Sequence, residues 1–498
     1  MEWASYIKQM DRALREGQGG SIRKDLVSLV EKGVPRNHAA LVANIAWRSG
    51  HPELGIRVLH PWVRPSERIT RESTEEEKSE YGVCLIKFGA GDEGLSLLRQ
   101  VDSARAPASL LYQAFGLVAK WDYEGSIPLI RAYLRSKNLN NYQKLVGEVN
   151  LAAAFVLGGH KQKAEYLLRD LTYRLSLSRY HLLLGRALHL SAENFIAIKK
   201  WEKAEECFFR AEKLLETSEG IDLFIVRKGR AISNFLQHPK NSATLLGLRA
   251  IRAEAEERRH WESIRDCDRI EALGTQNYEL WNRVYFGTPL EAFRARMRKE
   301  APNIPIEEEY FWKMNGRNET GPVMDLETGK IKGLAAELKA GQALHVLLRI
   351  LATDFYRPFR IASLHAKLHP QEFYDPVNSP IRARQAIKRL RKWFAQVRLP
   401  LIVQESEGSY QLGAKRPCAL KISAHSTTHS RHAVLVNTLR EKFFDGPFSS
   451  MDACREWKLS NRSALRILDA CVQAGYLVRS GKTKKTTYRF APTASKAS

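Results

Sequence analysis

Small side chains recur at fixed distances from five points along the chain, Gly50, Gly89, Trp121, Gly159 and Lys199. Seven residues before these points lie Ala43, Gly82, Ala114, Ala152 and Ala192, and five residues after them lie Gly55, Gly94, Ser126, Ala164 and Ala204. All ten positions are Gly, Ala or Ser, and the points are 39, 32, 38 and 40 residues apart. Two antiparallel helices joined by a short turn approach closely only where both carry small side chains. A crossing repeated at this period therefore predicts stacked helix pairs. Leu59, Leu98, Ile130, Leu168 and Phe208 recur where each second helix buries its apolar stripe. Alternation of period two is almost absent before residue 280, so one helix after another is expected there.

The array resembles the tetratricopeptide repeat family, most closely in AFGLVAKWDYEGSIPLIRAYL. Its spacings mostly exceed the family's period of roughly 34 residues, which makes these degenerate copies. The resemblance implies an α-solenoid that takes a protein, a peptide or a small effector on its concave surface. The helices expected over Asp222–Leu236, Leu245–Arg259 and Trp261–Leu273 fit the repeat frame poorly and read as a capping region.

Charge divides the chain differently. Of a net +24, +18 falls between Ile331 and Ser498, where 29 Lys and Arg face 11 Asp and Glu. A basic segment following a nearly balanced one points to a polyanionic partner. Within it, PIRARQAIKRLRKWF places Ile387, Leu390 and Phe394 on one helical face, with Pro380 in the first turn and Pro400 ending the run. LIVQESEGSYQL follows as a hairpin turning at Glu407 and Gly408. A basic helix followed by a hairpin is the recognition helix and wing of a winged helix. Arg382, Arg384, Gln385, Lys388, Arg389, Arg391 and Lys392 are its candidate DNA contacts. Arginine matches guanine bidentately and glutamine matches adenine, while Lys388 and Arg389 suit phosphate equally well.

AIKRLRKWF resembles the I-x-x-L-R-x-x-(L/F) signature of the OmpR/PhoB-type winged-helix effector domain, and EGSYQL resembles that family's wing. The chain departs from the family at Ser409, where Gly is usual, and at Arg384, where an acidic residue is common. The resemblance implies an opening sheet, matched here by a hairpin in VMDLETGKIKG (Val323–Gly333) that turns at Thr328 and Gly329. Helices are expected over Gln342–Phe355 and Ile361–Leu368. The family also implies a bacterial transcriptional regulator.

A second winged helix of generic type is expected after a linker. It comprises a helix over Arg431–Phe444, a short helix over Met451–Trp457 capped by Ser450, a helix over Arg462–Ala474, and a wing turning near Gly481 and Lys482. Leu465, Leu468 and Val472 are expected in its core. Asn461, Arg462, Ser463 and Arg466 are its candidate base contacts, and Arg479, Lys482, Lys484 and Lys485 line its wing.

Other motifs lose to simpler readings. Gly89 to Gly94 fits G-x-G-x-x-G but follows a helix and carries Asp92 and Glu93 where a pyrophosphate would lie. Gly481-Lys482-Thr483 lacks the spacing and following helix of a P-loop. Asn318-Glu319-Thr320 matches a glycosylation acceptor that a cytosolic chain does not use. His425, His429 and His432 have helical spacing but no defined ligand shell. The cysteines Cys84, Cys207, Cys267, Cys418, Cys454 and Cys471 form no C-x-x-C pair, which favours a reducing compartment. No apolar run reaches membrane-spanning length and no signal-type h-region stands at the start. No catalytic constellation emerges.

The sequence therefore predicts a mainly α chain: an α-solenoid over 1–280, a junction over 281–320, a winged helix over 321–414, a linker over 415–430, a second winged helix over 431–491 and a disordered tail over 492–498. The expected function is a cytoplasmic, non-enzymatic regulator that binds double-stranded DNA, needs no cofactor or metal, has no membrane partner and forms a possible homodimer. The alternatives are a protein-binding scaffold and an RNA-binding or defence-associated factor.

Overall fold

All five loop points adopt left-handed backbone in the computed structural model, with φ of 86°, 109°, 65°, 82° and 58° in chain order. The next N–H reaches back five residues in each case: His51 to Ala46, Ala90 to Leu85, Asp122 to Leu117, His160 to Phe155 and Lys200 to Phe195, at 2.8–3.0 Å. This is the Schellman closure, which satisfies the carbonyls left open at a helix end. The structure describes residues 3–18, 22–64, 72–218, 220–316, 321–424, 431–444, 446–481 and 486–491. It is mainly α with small three-stranded sheets, and it separates into two compact units. Unit 1 comprises Met1–Val284, Leu290–Ile304 and Gln371–Ser379; unit 2 comprises Tyr285–Pro289, Pro305–Pro370 and Pro380–Ser498.

Unit 1 is built of antiparallel helix pairs. They are α1 (Trp3–Arg15) with α2 (Ile22–Glu31), α3 (Arg36–Arg48) with α4 (Pro52–Val63), α5 (Glu75–Phe88) with α6 (Gly91–Leu98), and α7 (Ala108–Val118) with α8 (Tyr123–Leu134). Next come α9 (Asn141–Leu157) with α10 (Lys161–Ser176), α11 (His181–Ala197) with α12 (Trp201–Leu215), and α13 (Asp222–Gln237) with α14 (Ser242–Glu257), followed by α15 (Trp261–Thr275), α16 (Tyr278–Phe286) and α17 (Glu291–Glu300). The small residues sit at the crossings. All ten are buried, and a Cβ added to Gly94 would lie 2.6 Å from the Gly82 carbonyl oxygen. Other turns share this geometry, among them those at Gly17 (φ 85°) and Arg259 (φ 54°). Their flanking positions hold Met10 and Ile22, and Arg252 and Ile264, so small residues do not mark them.

The first pair also meets later ones. The Arg15 guanidinium lies 4.2 Å from the Tyr142 ring centre, and Gly17 packs beside Leu182 and Ser218. The segment Gln371–Ser379 is held against α4, α5 and α6. There the Tyr374 N–H donates to Glu93 Oε2 at 2.8 Å, the Tyr374 ring meets Phe88 edge-on at 5.7 Å, and Arg64 covers the Phe373 ring at 3.9 Å.

Unit 2 opens with a sheet. Strand β1 (Glu309–Met314) alternates exposed and buried residues and β2 (Val323–Asp325) is short. Then follow α18 (Ala343–Leu351), β3 (Phe359–Arg360), α19 (Ile361–Leu368), α20 (Asn378–Gln396), β4 (Leu401–Ser406), β5 (Ser409–Ala414) and β6 (Cys418–Ser423). The sheets are ordered β1-β6-β2 and β3-β5-β4. Strand β6 runs antiparallel to β1 and parallel to β2, in the register Trp312 opposite Leu420. The last part is α21 (Arg431–Phe443), β7 (Phe448–Ser449), α22 (Ser450–Trp457), α23 (Asn461–Gln473), β8 (Leu477–Ser480) and β9 (Thr487–Phe490), with the sheet order β7-β9-β8. Each half thus has the winged-helix order of helix, short strand, helix, helix and hairpin.

Several expectations change. The segment read as a linker contributes β6, because Cys418, Leu420 and Ile422 alternate inward while the composition around them is loop-like. The segment read as a junction holds part of α16, all of α17 and β1. Helix α18 ends at Leu351 rather than Phe355. Asp354 Oδ1 accepts the N–H groups of Tyr356 and Arg357 there, and such local bonds compete with the helix. The cap of α22 is Ser449 rather than Ser450, in a reciprocal capping box with Asp452. The core face of α23 is Ala464, Ile467, Leu468 and Cys471, with Val472 packed beside it, while Leu465 points outward. Lys482, Lys484, Lys485, His425, His429, Asn318, Glu319, Thr320 and the 492–498 tail lie outside the described residues.

Candidate nucleic-acid interface

Helix α20 begins at an Asx turn. Asp375 Oδ1 accepts from the N–H groups of Val377 and Asn378 at 2.7 and 3.1 Å, and its other oxygen accepts from the Asn378 amide. The apolar stripe of the helix is buried: Ala383, Ile387, Leu390 and Phe394 are at most 2% exposed. The opposite face is therefore fixed outward. Arg384, Gln385, Lys388, Arg389 and Lys392 are all exposed there, and their side chains have no hydrogen-bond or ion-pair partner among the described residues. Arg384, Lys388 and Lys392 follow one another at i, i+4, a spacing at which like charges repel by about 0.2–0.5 kcal/mol per pair.

Two of the predicted contacts have other work. Arg391 donates from Nε and Nη2 to the Val403 carbonyl at 3.1 and 2.7 Å, tying the helix to strand β4 of the wing. Arg382 lies 3.4 Å from His369 Nδ1. The wing turns at Glu407 (φ 51°) and Gly408 (φ 71°), two consecutive left-handed residues, which is the turn that matches the twist of a two-residue hairpin. Strand β5 is central, with Tyr410 opposite both Phe359 and Glu405. Glu405 and Glu407 are exposed near this turn, so the tip of the wing carries carboxylates while α20 presents cations.

In the second half, Ser460 caps α23 and its hydroxyl lies 3.0 Å from that of Ser463, which ties Ser463 to the cap. Asn461 is exposed, with its Oδ1 3.7 Å from Cys454 Sγ. Arg462 and Arg466 are exposed at i, i+4, also without a side-chain partner among the described residues. Arg479 lies 3.7 Å from Asp469, a loose and exposed pair.

Elsewhere in unit 2, a groove of about 720 Å³ runs over the first sheet between Phe311, Ile331 and Leu334. Its Lys421 is compensated by Glu309 at 2.6 Å and Asp325 at 3.8 Å. Among the described residues no cluster of three or more His, Cys, Asp or Glu could hold a metal ion, and no helix is long and apolar enough to cross a membrane. The sequence reading missed His345, a fully buried histidine in the first turn of α18 that bonds Gly341 and Leu326 in the segment between β2 and that helix. Its only sequence signal is polarity on the apolar face of α18. Compared with known proteins, the chain matches no family model and no curated sequence.

Proposed function

We propose that this chain is a regulator that reads duplex DNA through α20, with its tetratricopeptide-like helical array receiving a protein, peptide or small effector. The observation that carries the reading is the ridge of Arg384, Lys388 and Lys392 beside Gln385 and Arg389, held outward by a buried stripe and not neutralised by neighbouring carboxylates. Such a ridge costs stability in the isolated protein, and phosphate neutralises it. Arginine and glutamine on the same face add base-edge recognition in a major groove. The proposed site of action is the cytoplasm.

The test is selection of a random duplex pool by the full chain, followed by titration of the enriched sequence at two salt concentrations. An enriched motif with steeply salt-dependent affinity supports the reading. Salt-independent binding, or preference for structured RNA over duplex, would replace it with the scaffold or RNA-binding alternative.

A further inference from the structure

The two winged helices of unit 2 touch through a turn that one buried imidazole organises. Gly341 N–H donates to His345 Nδ1 at 3.2 Å, and His345 Nε2 donates to the Leu326 carbonyl at 3.0 Å. Arg349 Nη1 adds a third bond, to the same carbonyl, at 3.3 Å. Residues 326 to 341 are thereby held to a single face of α18. That face meets the second winged helix at three places. Gly341 has φ +72°, and a Cβ there would lie 2.6 Å from Leu435 Cγ on α21. Glu327 Oε1 accepts from the Asn437 amide at 3.3 Å, and Glu337 lies 3.8 Å from Lys458 Nζ. Leu435 is itself a core residue of the second half, and its carbonyl accepts the Trp457 indole N–H at 3.0 Å. The contact therefore joins core to core, with a rim of opposite polarity: Glu327 and Glu337 on one side, Asn437 and Lys458 on the other.

We infer from this packing, and from the exposed α20 and α23 ridges, that the two winged helices form one rigid reader, so that a single chain recognises a bipartite duplex site at one fixed spacing and helical phase. The inference rests on the DNA reading above and sharpens it. Two domains on a free tether sample many separations and tolerate changes in the distance between their targets. Two domains in van der Waals contact do not, and moving one target around the DNA axis turns it away from its reader. The acidic side chains of the 326–337 turn are used at the junction, while Arg462 and Arg466 on α23 and the α20 ridge stay exposed.

The experiment uses the full chain and the duplex selection described above. The expected result is two enriched elements at one spacing, one lost with Arg389→Ala and the other with Arg466→Ala. Lengthening the spacer by about five base pairs, half a turn, should then weaken binding about a hundredfold. In Gly341→Val, which overpacks Leu435, that penalty should shrink to a few-fold while each element alone is bound as before. Asn437→Asp places a carboxylate against Glu327 at the rim and should act in the same direction even if the glycine variant folds poorly. A single enriched element, two elements at variable spacing, or no spacer penalty would overturn the rigid reader and leave the DNA reading standing. Failure to bind any duplex would overturn both.

Discussion

Individual side chains on α20 separate by what they touch. Arg384→Ala or Arg389→Ala removes an outward group without a protein partner, so specific binding should weaken by about 1–3 kcal/mol while the unfolding midpoint stays put. Arg391→Ala should do the reverse. It leaves the Val403 carbonyl without its two donors, and a denaturant titration should report a loss of about 1–2 kcal/mol. His345 makes a prediction about acid. Burial, then the nearby Arg349 charge, pushes its imidazole down to about 4, against about 6.5 in an unfolded chain. Between those values the unfolded chain takes up a proton that the native ring refuses. Unit 2 should therefore lose about 3 kcal/mol as pH falls from about 6.5 to 4, with no contribution from this residue above that window. His60, His189 and His260 of unit 1 are also pushed down by burial, so the measurement is a difference. Unfolding followed on unit 2 should lose most of its acid slope in His345→Gln, and an unchanged slope would refute the assignment.

At the scale of elements, two glycines of the helical array distinguish strain from crowding. Gly159 has φ +82° and open space around it, so Gly159→Ala should cost about 1 kcal/mol through its left-handed backbone alone. Gly94 sits in a helix crossing where a Cβ meets the Gly82 carbonyl and the Ile86 nitrogen, backbone atoms that cannot rotate away. Gly94→Ala should cost about 2–3 kcal/mol in a urea titration despite its better helix propensity. Crossings of this kind were legible in the sequence because close approach forbids large residues at two positions at once. The turns at Gly17 and Arg259 were not, since hydrogen bonding closes a helix end whatever the flanking side chains. Helix α19 was readable to its bounds, Ile361–Leu368. Strand β6 was not, because Lys415-Arg416-Pro417 before Cys418–Ser423 and the Ser, His and Thr after it outweighed three alternating apolar residues in a composition-based reading. The outward ridge of α20 followed from periodicity. The diversion of Arg391 did not, because its acceptor is placed by a hairpin twelve residues on.

For the molecule as a whole, the α20 ridge sets a scale for salt dependence. If its four cations neutralise phosphates, log affinity should fall with log salt with a slope of about −4, and removing Lys388 should flatten it by about one. Unit 1 raises a separate matter. Its last piece, Gln371–Ser379, enters the sequence 67 residues after the piece that ends at Ile304. During synthesis the helices up to α17 emerge and pack while Glu93, Phe88 and Arg64 still lack Phe373 and Tyr374. A ribosome stalled in that interval carries an array whose seat for those two rings is open to solvent, as does a fragment cut after α17. Maturation of the array is therefore timed by translation of residues far downstream, and a fragment ending at Ile304 should regain stability when a peptide spanning 371–379 is supplied separately.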